Sequence, residues 1–381
     1  MPKKRFLILT SDSGFGHRSA ANYVAKALSE AHPLEVITRI VNPVKEKQTP
    51  VYLRQTERNY DRNVLRNQRF YRFTYEISNS RSISSLVEGT LILSLYQSLR
   101  RIYLETYPDV ILNTAPLFNA PMGAVLDNLH STTPLYTVVT DLADVHTMWF
   151  NHSPDKFFVG TEAVREKALA CGIREEDIIL SGIPVDPALG ANRYTKSNLR
   201  ISLGLQPDLT TLLFVGSPRV NGMIHHIRVL EQASFPFQVV AIAGGNRELY
   251  ANLKQHSWNF PMHVEDFVQN MHIWLECADI LVTKAGGLIL SEGLAAGLPI
   301  IIVDHLPGQE TGNVEFVIGN HAGVCAYSPQ EFLTIVQYWS SSDRNILHQI
   351  AGNAARIGFP GSARNITAEL WKAASRRKPA S

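Results

Sequence analysis

Short apolar runs recur along this chain at helix-length intervals: Arg5 to Thr10, Val110 to Asn113, Leu135 to Thr140 and Lys156 to Gly160, then Leu212 to Val215, Gln238 to Ala243, Ile280 to Thr283 and Pro299 to Val303. A strand with one face in water alternates apolar and polar residues. Most of these runs do not, so each needs cover on both faces, which a parallel sheet flanked by helices provides. The fold class expected is α/β. At ~150 residues per domain, the 381 residues make two domains, each built on a doubly wound sheet. The polar, turn-rich stretch Asp186 to Asp208 holds Pro187, Gly190, Gly204 and Pro207, has no strand of its own, and sets the boundary. The expected division is an N-terminal domain over 1–190 and a C-terminal domain over 200–358, with a helix in the tail 360–381 able to pack back on the first.

Composition excludes several classes. The charged fraction is 18 % and the formal net charge +2, so no global field draws this chain to nucleic acid, and no nucleic-acid partner is expected. Cys171, Cys277 and Cys325 are odd in number and contain no CxxC pair, which argues against a disulfide framework and a structural zinc site and fits a reducing cytoplasm. The apolar runs Phe6 to Leu9 and Leu298 to Val303 are too short for a signal peptide or a ~20-residue membrane span. Contact with a membrane would be peripheral. A local feature suits it: Arg54, Arg58, Arg62 and Arg66 recur every four residues, Arg69 and Arg72 continue the stripe, and Tyr60, Phe70, Tyr71, Phe73 and Tyr75 are interleaved. On a helix these arginines share one face and can bind anionic headgroups at about 1 kcal/mol per charge. The bland alternative is an exposed helix whose partners are Glu57, Asp61 and Glu76.

Two loops carry candidate chemistry. Thr10-Ser-Asp-Ser-Gly14-Phe-Gly16-His17-Arg18-Ser19 lies between the first strand and a helix at about Ser19 to Glu30, where glycines let a backbone approach a ligand and a helix start favours an anion. Ser19 stands where a dinucleotide fingerprint wants its third glycine, and strand two ends in Arg39 and Asn42 instead of an acid, which demotes a nicotinamide site. His17 can be a general base or a helix-capping side chain. In the second half, Asp279 to Thr283 is a strand, Lys284-Ala-Gly286-Gly287 a turn, and Leu288 to Ala296 a helix carrying Glu292 about one turn in. This places glycines, a lysine and a helix start where a phosphate could sit. The following loop, Asp304 to Asn313, is dense in amides and carboxylates and suits a ligand rich in hydroxyls.

The strings SDSGFGHRSA, TVVTDLADVHTMWF, GTEAV to GIPVDP, DFVQNM, TKAGGLILSEGLAAGLPIII and PGQETGNVEFV lie in one order over roughly residues 5–325. Together they resemble the monogalactosyldiacylglycerol synthase and processive diacylglycerol glucosyltransferase family (glycosyltransferase family 28). The resemblance implies a GT-B fold: two Rossmann-like domains with a cleft between them, the first for the acceptor and the second for a UDP-sugar. It makes Glu292 the acid on the ribose hydroxyls, Gln309 and Glu310 the pair facing the sugar, and Asn313 the close of that loop. Lys284, Gly286 and Gly287 become the diphosphate turn, Phe267 and Val268 the uracil site, Gly216 and Ser217 a second phosphate loop, and Gly14 and Gly16 the acceptor or phosphate loop of the first domain.

The implied reaction is inverting transfer of galactose or glucose from UDP to a diacylglycerol-type lipid at an anionic membrane surface. Asp141 and His17 both follow strands at the sheet edge where ligands gather, and either can be the base, Asp141 with His17 beside it being favoured. No metal is expected, since no DxD-type cluster is evident, and no cofactor beyond the donor itself. Departures are Asp186, where relatives usually carry arginine, and Asn113-Thr-Ala115-Pro116, which lacks a histidine before the proline. An acid near a diphosphate is unfavourable unless it points away or Arg219 compensates. The alternatives are a non-catalytic sugar-nucleotide binder and a transferase of N-acetylglucosamine to another lipid.

Overall fold

A computed structural model describes residues 3–12, 15–55, 81–191, 194–218, 222–308, 310–340 and 345–376, with the backbone alone at 15 and 81–86. The chain divides into two compact units: Met1–Pro187 joined by Gly361–Ser381, and Ala188–Pro360. The stripe residues Arg58, Arg62, Arg66, Arg69 and Arg72, together with Gly14, Arg219 and Gln309, lie outside the described residues.

In the first unit, strands β1 (Lys4–Leu9), β2 (Val36–Val41), β3 (Val110–Asn113), β4 (Leu135–Val138), β5 (Lys156–Val159) and β6 (Ile178–Leu180) form a six-stranded sheet ordered β2-β1-β3-β4-β5-β6. Every pairing is parallel. Because side chains alternate across a strand, Leu7 and Leu9 enter one core with Leu95, Leu99 and Phe118, while Phe6 and Ile8 enter the other with Val24, Leu28, Ile366 and Leu370. Burying each such side chain is worth ~1.5–3 kcal/mol, and both faces are used. Helices α1 (Phe15–Ala31) and α13 (Ser362–Arg376) cover one face; α2 (Arg81–Thr106) and α3 (Asn119–Asn128) cover the other. Trp371 of α13 stacks on His32 just past α1, ring centroids 3.6 Å apart, and on Phe6 at 6.4 Å. Helix α4 (Glu162–Ala170) follows β5, with Thr161 accepting from the Val164 N–H as its cap.

The second unit repeats the plan. Strands β7 (Thr210–Val215), β8 (Phe237–Ile242), β9 (Met262–Glu265), β10 (Ile280–Lys284), β11 (Ile300–Asp304) and β12 (Gly323–Cys325) pair in parallel in the order β12-β11-β10-β7-β8-β9. Read from its own first strand this is the doubly wound order 3-2-1-4-5-6. Its named helices are α5 (Lys196–Ser202), α6 (Met223–Arg228), α7 (Arg247–Gln255), α8 (Met271–Cys277), α9 (Gly287–Ala295), α10 (Thr311–Gly319), α11 (Pro329–Trp339) and α12 (Asn345–Ile357). Helix α9 ends because Gly297 takes φ +66°, which lets the Leu298 N–H reach back to Gly293 O at 2.9 Å.

In both sheets the strand order reverses beside the first strand, between β1 and β3 and between β7 and β10. Ligands of open α/β sheets gather at the carboxyl ends of the strands at that switch point. The loops after β1, β3 and β4, and those after β7, β10 and β11, are therefore where a site belongs.

Candidate active site

In the first unit the loop after β4 is a folded knob. Thr140 is buried and its Oγ1 lies 2.8 Å from His17 Nδ1. His17 sits inside the first turn of α1 and not before it, so it does not occupy the capping position, and its ring reaches across to the β4 loop. The neighbouring Asp141 accepts at Oδ2 from the Trp149 indole N–H, 2.7 Å away. The same indole lies 6.0 Å from the His17 ring, so the two candidate bases meet around one tryptophan. His146 fixes the turn Thr147–Phe150 that presents Trp149: its Nδ1 accepts from the Met148 N–H at 3.1 Å. Burial, helped by the Lys167 charge, holds His146 below the usual imidazole range, which keeps that acceptor unprotonated.

Charge lies just beside this knob. Asp12, after β1, accepts from Arg18 Nε at 2.7 Å, Lys45 Nζ at 2.5 Å and Asn42 Nδ2 at 3.0 Å. Burial pushes its carboxyl up, but the three donors outweigh burial and hold it well below the ordinary range. Asp186, the departure from the family pattern, is paired with Lys26 of α1 at 2.6 Å. The structure thus supplies its own cation for that acid. Asn113, the other departure, is buried: its Nδ2 donates to Asn119 Oδ1 and its Oδ1 accepts from the Ala115 N–H at 3.2 Å.

In the second unit the β10–α9 turn and the start of α10 are stitched together. Lys284, at the end of β10, forms an ion pair with Glu310 Oε1, and Glu310 Oε2 accepts from the Leu306 N–H at 2.9 Å. The lysine and glutamate assigned to diphosphate and sugar thus hold each other. Asn313 Nδ2 donates to Ala285 O at 2.9 Å, whereas its buried Oδ1 finds no partner among the described residues. Gly286 precedes the first residue of α9, whose opening amides have no carbonyl four residues back and carry the positive end of the helix dipole. Glu292, a turn and a half further, is only 3 % exposed.

Gly216 has a packing reason to be glycine: a Cβ there would lie 2.8 Å from the Leu249 side chain and 3.0 Å from Ala243 O. Gly244, at φ +63°, presses back on it, since its own Cβ would fall 2.2 Å from Gly216 O. Ser217 follows, with its carbonyl accepting from Asn246 Nδ2 at 3.2 Å. Phe267 is 56 % exposed, and Val268 half-buried, after β9. Trp149, Thr140, Asp12 and Lys26 were not singled out by the sequence; Trp149 stands in the quoted TVVTDLADVHTMWF string but has no titratable group to draw notice. Among the described residues no group of three or more His, Cys, Asp or Glu is placed to hold a metal ion.

Two Rossmann-like sheets with ligand loops at their switch points are the GT-B architecture, and solved structures agree. The fold is similar to MurG of Acinetobacter baumannii (TM-score 0.61, 15 % identity, covering 97 % of this chain and 100 % of that one). It is also similar to HepE of Anabaena, solved in complex with UDP-glucose (TM-score 0.58, 13 % identity, 97 % and 99 %). In sequence, the family model for monogalactosyldiacylglycerol (MGDG) synthase matches residues 17–185. The probable MGDG synthase 2, chloroplastic, of Oryza sativa subsp. japonica is 29 % identical over 382 residues, 97 % of this chain and 80 % of that protein. The protein is a glycosyltransferase of GT-B fold. The match of residues 17–185 to the MGDG synthase model agrees with the family resemblance read from the sequence motifs.

Proposed function

We propose that this protein transfers galactose or glucose, with inversion, from a UDP-sugar to the hydroxyl of a diacylglycerol-type lipid at a membrane surface. The observation that carries this reading is the meeting of Asp141 and His17 around Trp149 at the carboxyl ends of β4 and β1. An acceptor hydroxyl attacks the anomeric carbon, Asp141 takes its proton with His17 beside it, and the bond to UDP breaks as charge grows on the diphosphate. In the second unit the α9 amides take that charge. Lys284 is already neutralised by Glu310, so its net contribution is smaller than that of an unpaired lysine. Glu292 is assigned to the ribose hydroxyls and the Asn313 Oδ1 to a donor on the ligand. Phe267 and Val268 are assigned to the base, and Gln309 and Glu310 to the sugar. The protein needs no metal or cofactor in this scheme.

Support for the membrane comes from the described segments that flank the arginine stripe in the chain. Leu93 on α2 is 85 % exposed, and Val51 and Tyr52 are more than half or half exposed beside it, Tyr52 OH lying 2.5 Å from Ser94 Oγ. Lys45, Lys47 and Arg100 are exposed in the same two segments. An apolar tip with basic residues around it suits insertion at an anionic bilayer surface. No helix among the described residues is long and apolar enough to cross a membrane.

The test is incubation with labelled UDP-galactose, UDP-glucose and UDP-N-acetylglucosamine plus vesicles of diacylglycerol and phosphatidylglycerol, followed by lipid extraction. Label from galactose or glucose should enter the lipid phase, and Leu93→Glu should lower both vesicle co-sedimentation and lipid labelling. UDP binding without any labelled lipid would replace this reading with that of a binding protein.

A further inference from the structure

Behind Asp141 runs a chain of buried hydrogen bonds that begins in the sheet. Thr137 Oγ1 donates to Asn119 Oδ1 at 2.9 Å, where Asn113 Nδ2 also donates. The Asn119 Nδ2 then donates to the Trp149 carbonyl at 3.0 Å, and the Trp149 Nε1–H donates to Asp141 Oδ2. Asn113, Asn119 and Thr137 are completely buried and Trp149 is 1 % exposed. The Trp149 ring packs against Val139, Val145, Phe157 and Val159. Interior polar groups this well paired have little freedom to move, because breaking any link leaves a donor or acceptor without water. The Thr137 and Asn113 ends of the chain lie on β4 and β3, so rigidity of the sheet is passed to one carboxylate oxygen.

We propose that Trp149 is a positioning residue for the transfer reaction, its indole N–H fixing the rotation of the Asp141 carboxylate, with Asn119 as the anchor that holds the indole in place. The inference rests on the reading of Asp141 as the base. Hydrophobic packing alone would explain a buried tryptophan, but not an indole N–H aimed at the Asp141 carboxylate.

The experiment is a double-mutant cycle in the full chain, read by transfer of label from UDP-galactose or UDP-glucose to diacylglycerol vesicles. Trp149→Phe should lower kcat by about 10- to 100-fold, the scale of a misplaced catalytic group, with the KM for UDP-sugar unchanged. In the Asp141→Asn background the same change should cost nothing further. Replacing Trp149 by its benzothienyl analogue, which keeps the bicyclic shape and loses only the N–H, should reproduce the loss if the phenylalanine variant folds poorly. Equal losses in both backgrounds, or a benzothienyl variant with wild-type kcat, would overturn the proposal. An active Asp141→Asn enzyme would instead sink the base assignment and this inference with it.

Discussion

In both units the loops at the switch point carry the candidate chemistry, but the groups there are held in different ways. In the first, Asp141 accepts from an indole N–H and His17 lies within hydrogen-bond distance of a threonine hydroxyl. In the second, Lys284 and Glu310 hold one another as an ion pair, with side chains only 13 % and 8 % exposed. A neutral donor orients a carboxylate and leaves it able to take a proton, whereas a buried cation would suppress that basicity. Anion binding has the opposite need: dipoles and amides fixed in advance, with no proton moving. On the reading proposed above, the first half is suited to proton transfer and the second to binding.

The sharpest way to break that division is to disable each half and read both activities. Asp141→Asn should cut turnover by ~10²–10⁴-fold, the usual share of general base catalysis, and leave the calorimetric affinity for UDP unchanged. Glu292→Ala should do the reverse at the binding step, weakening UDP by ~10–100-fold, as expected for ~1.5–3 kcal/mol of charged hydrogen bonding. If Asp141→Asn weakens UDP as much as Glu292→Ala does, the units do not divide the labour. Stability gives a second contrast. Lys284→Met strands a buried carboxylate and should cost ~3–5 kcal/mol in denaturant unfolding. Lys26→Met removes the partner of Asp186, but Lys26 is 39 % exposed and its loss should cost less. Equal costs would mean that water reaches the Lys284–Glu310 pair.

The smallest effect is in acid. Asp12 titrates below its ordinary value in the folded state, so its contribution to stability is complete above about pH 4, the unfolded carboxyl range, and fades as pH falls further. Unfolding measured between pH 5 and pH 2 should therefore be less steep in pH for Asp12→Asn than for the wild type; identical slopes would show that Arg18, Lys45 and Asn42 give Asp12 no net stabilisation.

The central strands were readable because each is uniformly apolar. β3 runs over Val110–Asn113 as expected, and β1, β4, β5, β7, β8, β10 and β11 fall within two residues of expectation at each end. The short strands β6, β9 and β12 were not singled out. Met262–Glu265 alternates with polar residues, and Ile178–Leu180 and Gly323–Cys325 have three residues each, too few for a periodicity. All three lie at sheet edges, where a strand has one neighbour instead of two. Of the candidate site, the residue types were legible and their partners were not. Lys26 meets Asp186 from 160 positions away, and Lys284 meets Glu310 from 26, distances over which a sequence pattern has no reach. The Trp149 link to Asp141 spans only eight positions. It stayed hidden because a tryptophan beside valines and phenylalanines reads as core, and it is both core and donor.

The return of α13 to the first sheet bears on how such a chain is made. The ribosome delivers β1 through β6 early, yet the helix whose Ile366, Leu370 and Trp371 seal one side of that sheet comes only after the whole second unit has emerged. Until then Phe6, Ile8 and Val24 lack part of their cover, and the nascent half carries an apolar strip that a chaperone can recognise. The unit translated first is thus completed last, and losing a few terminal turns would injure the beginning of the chain.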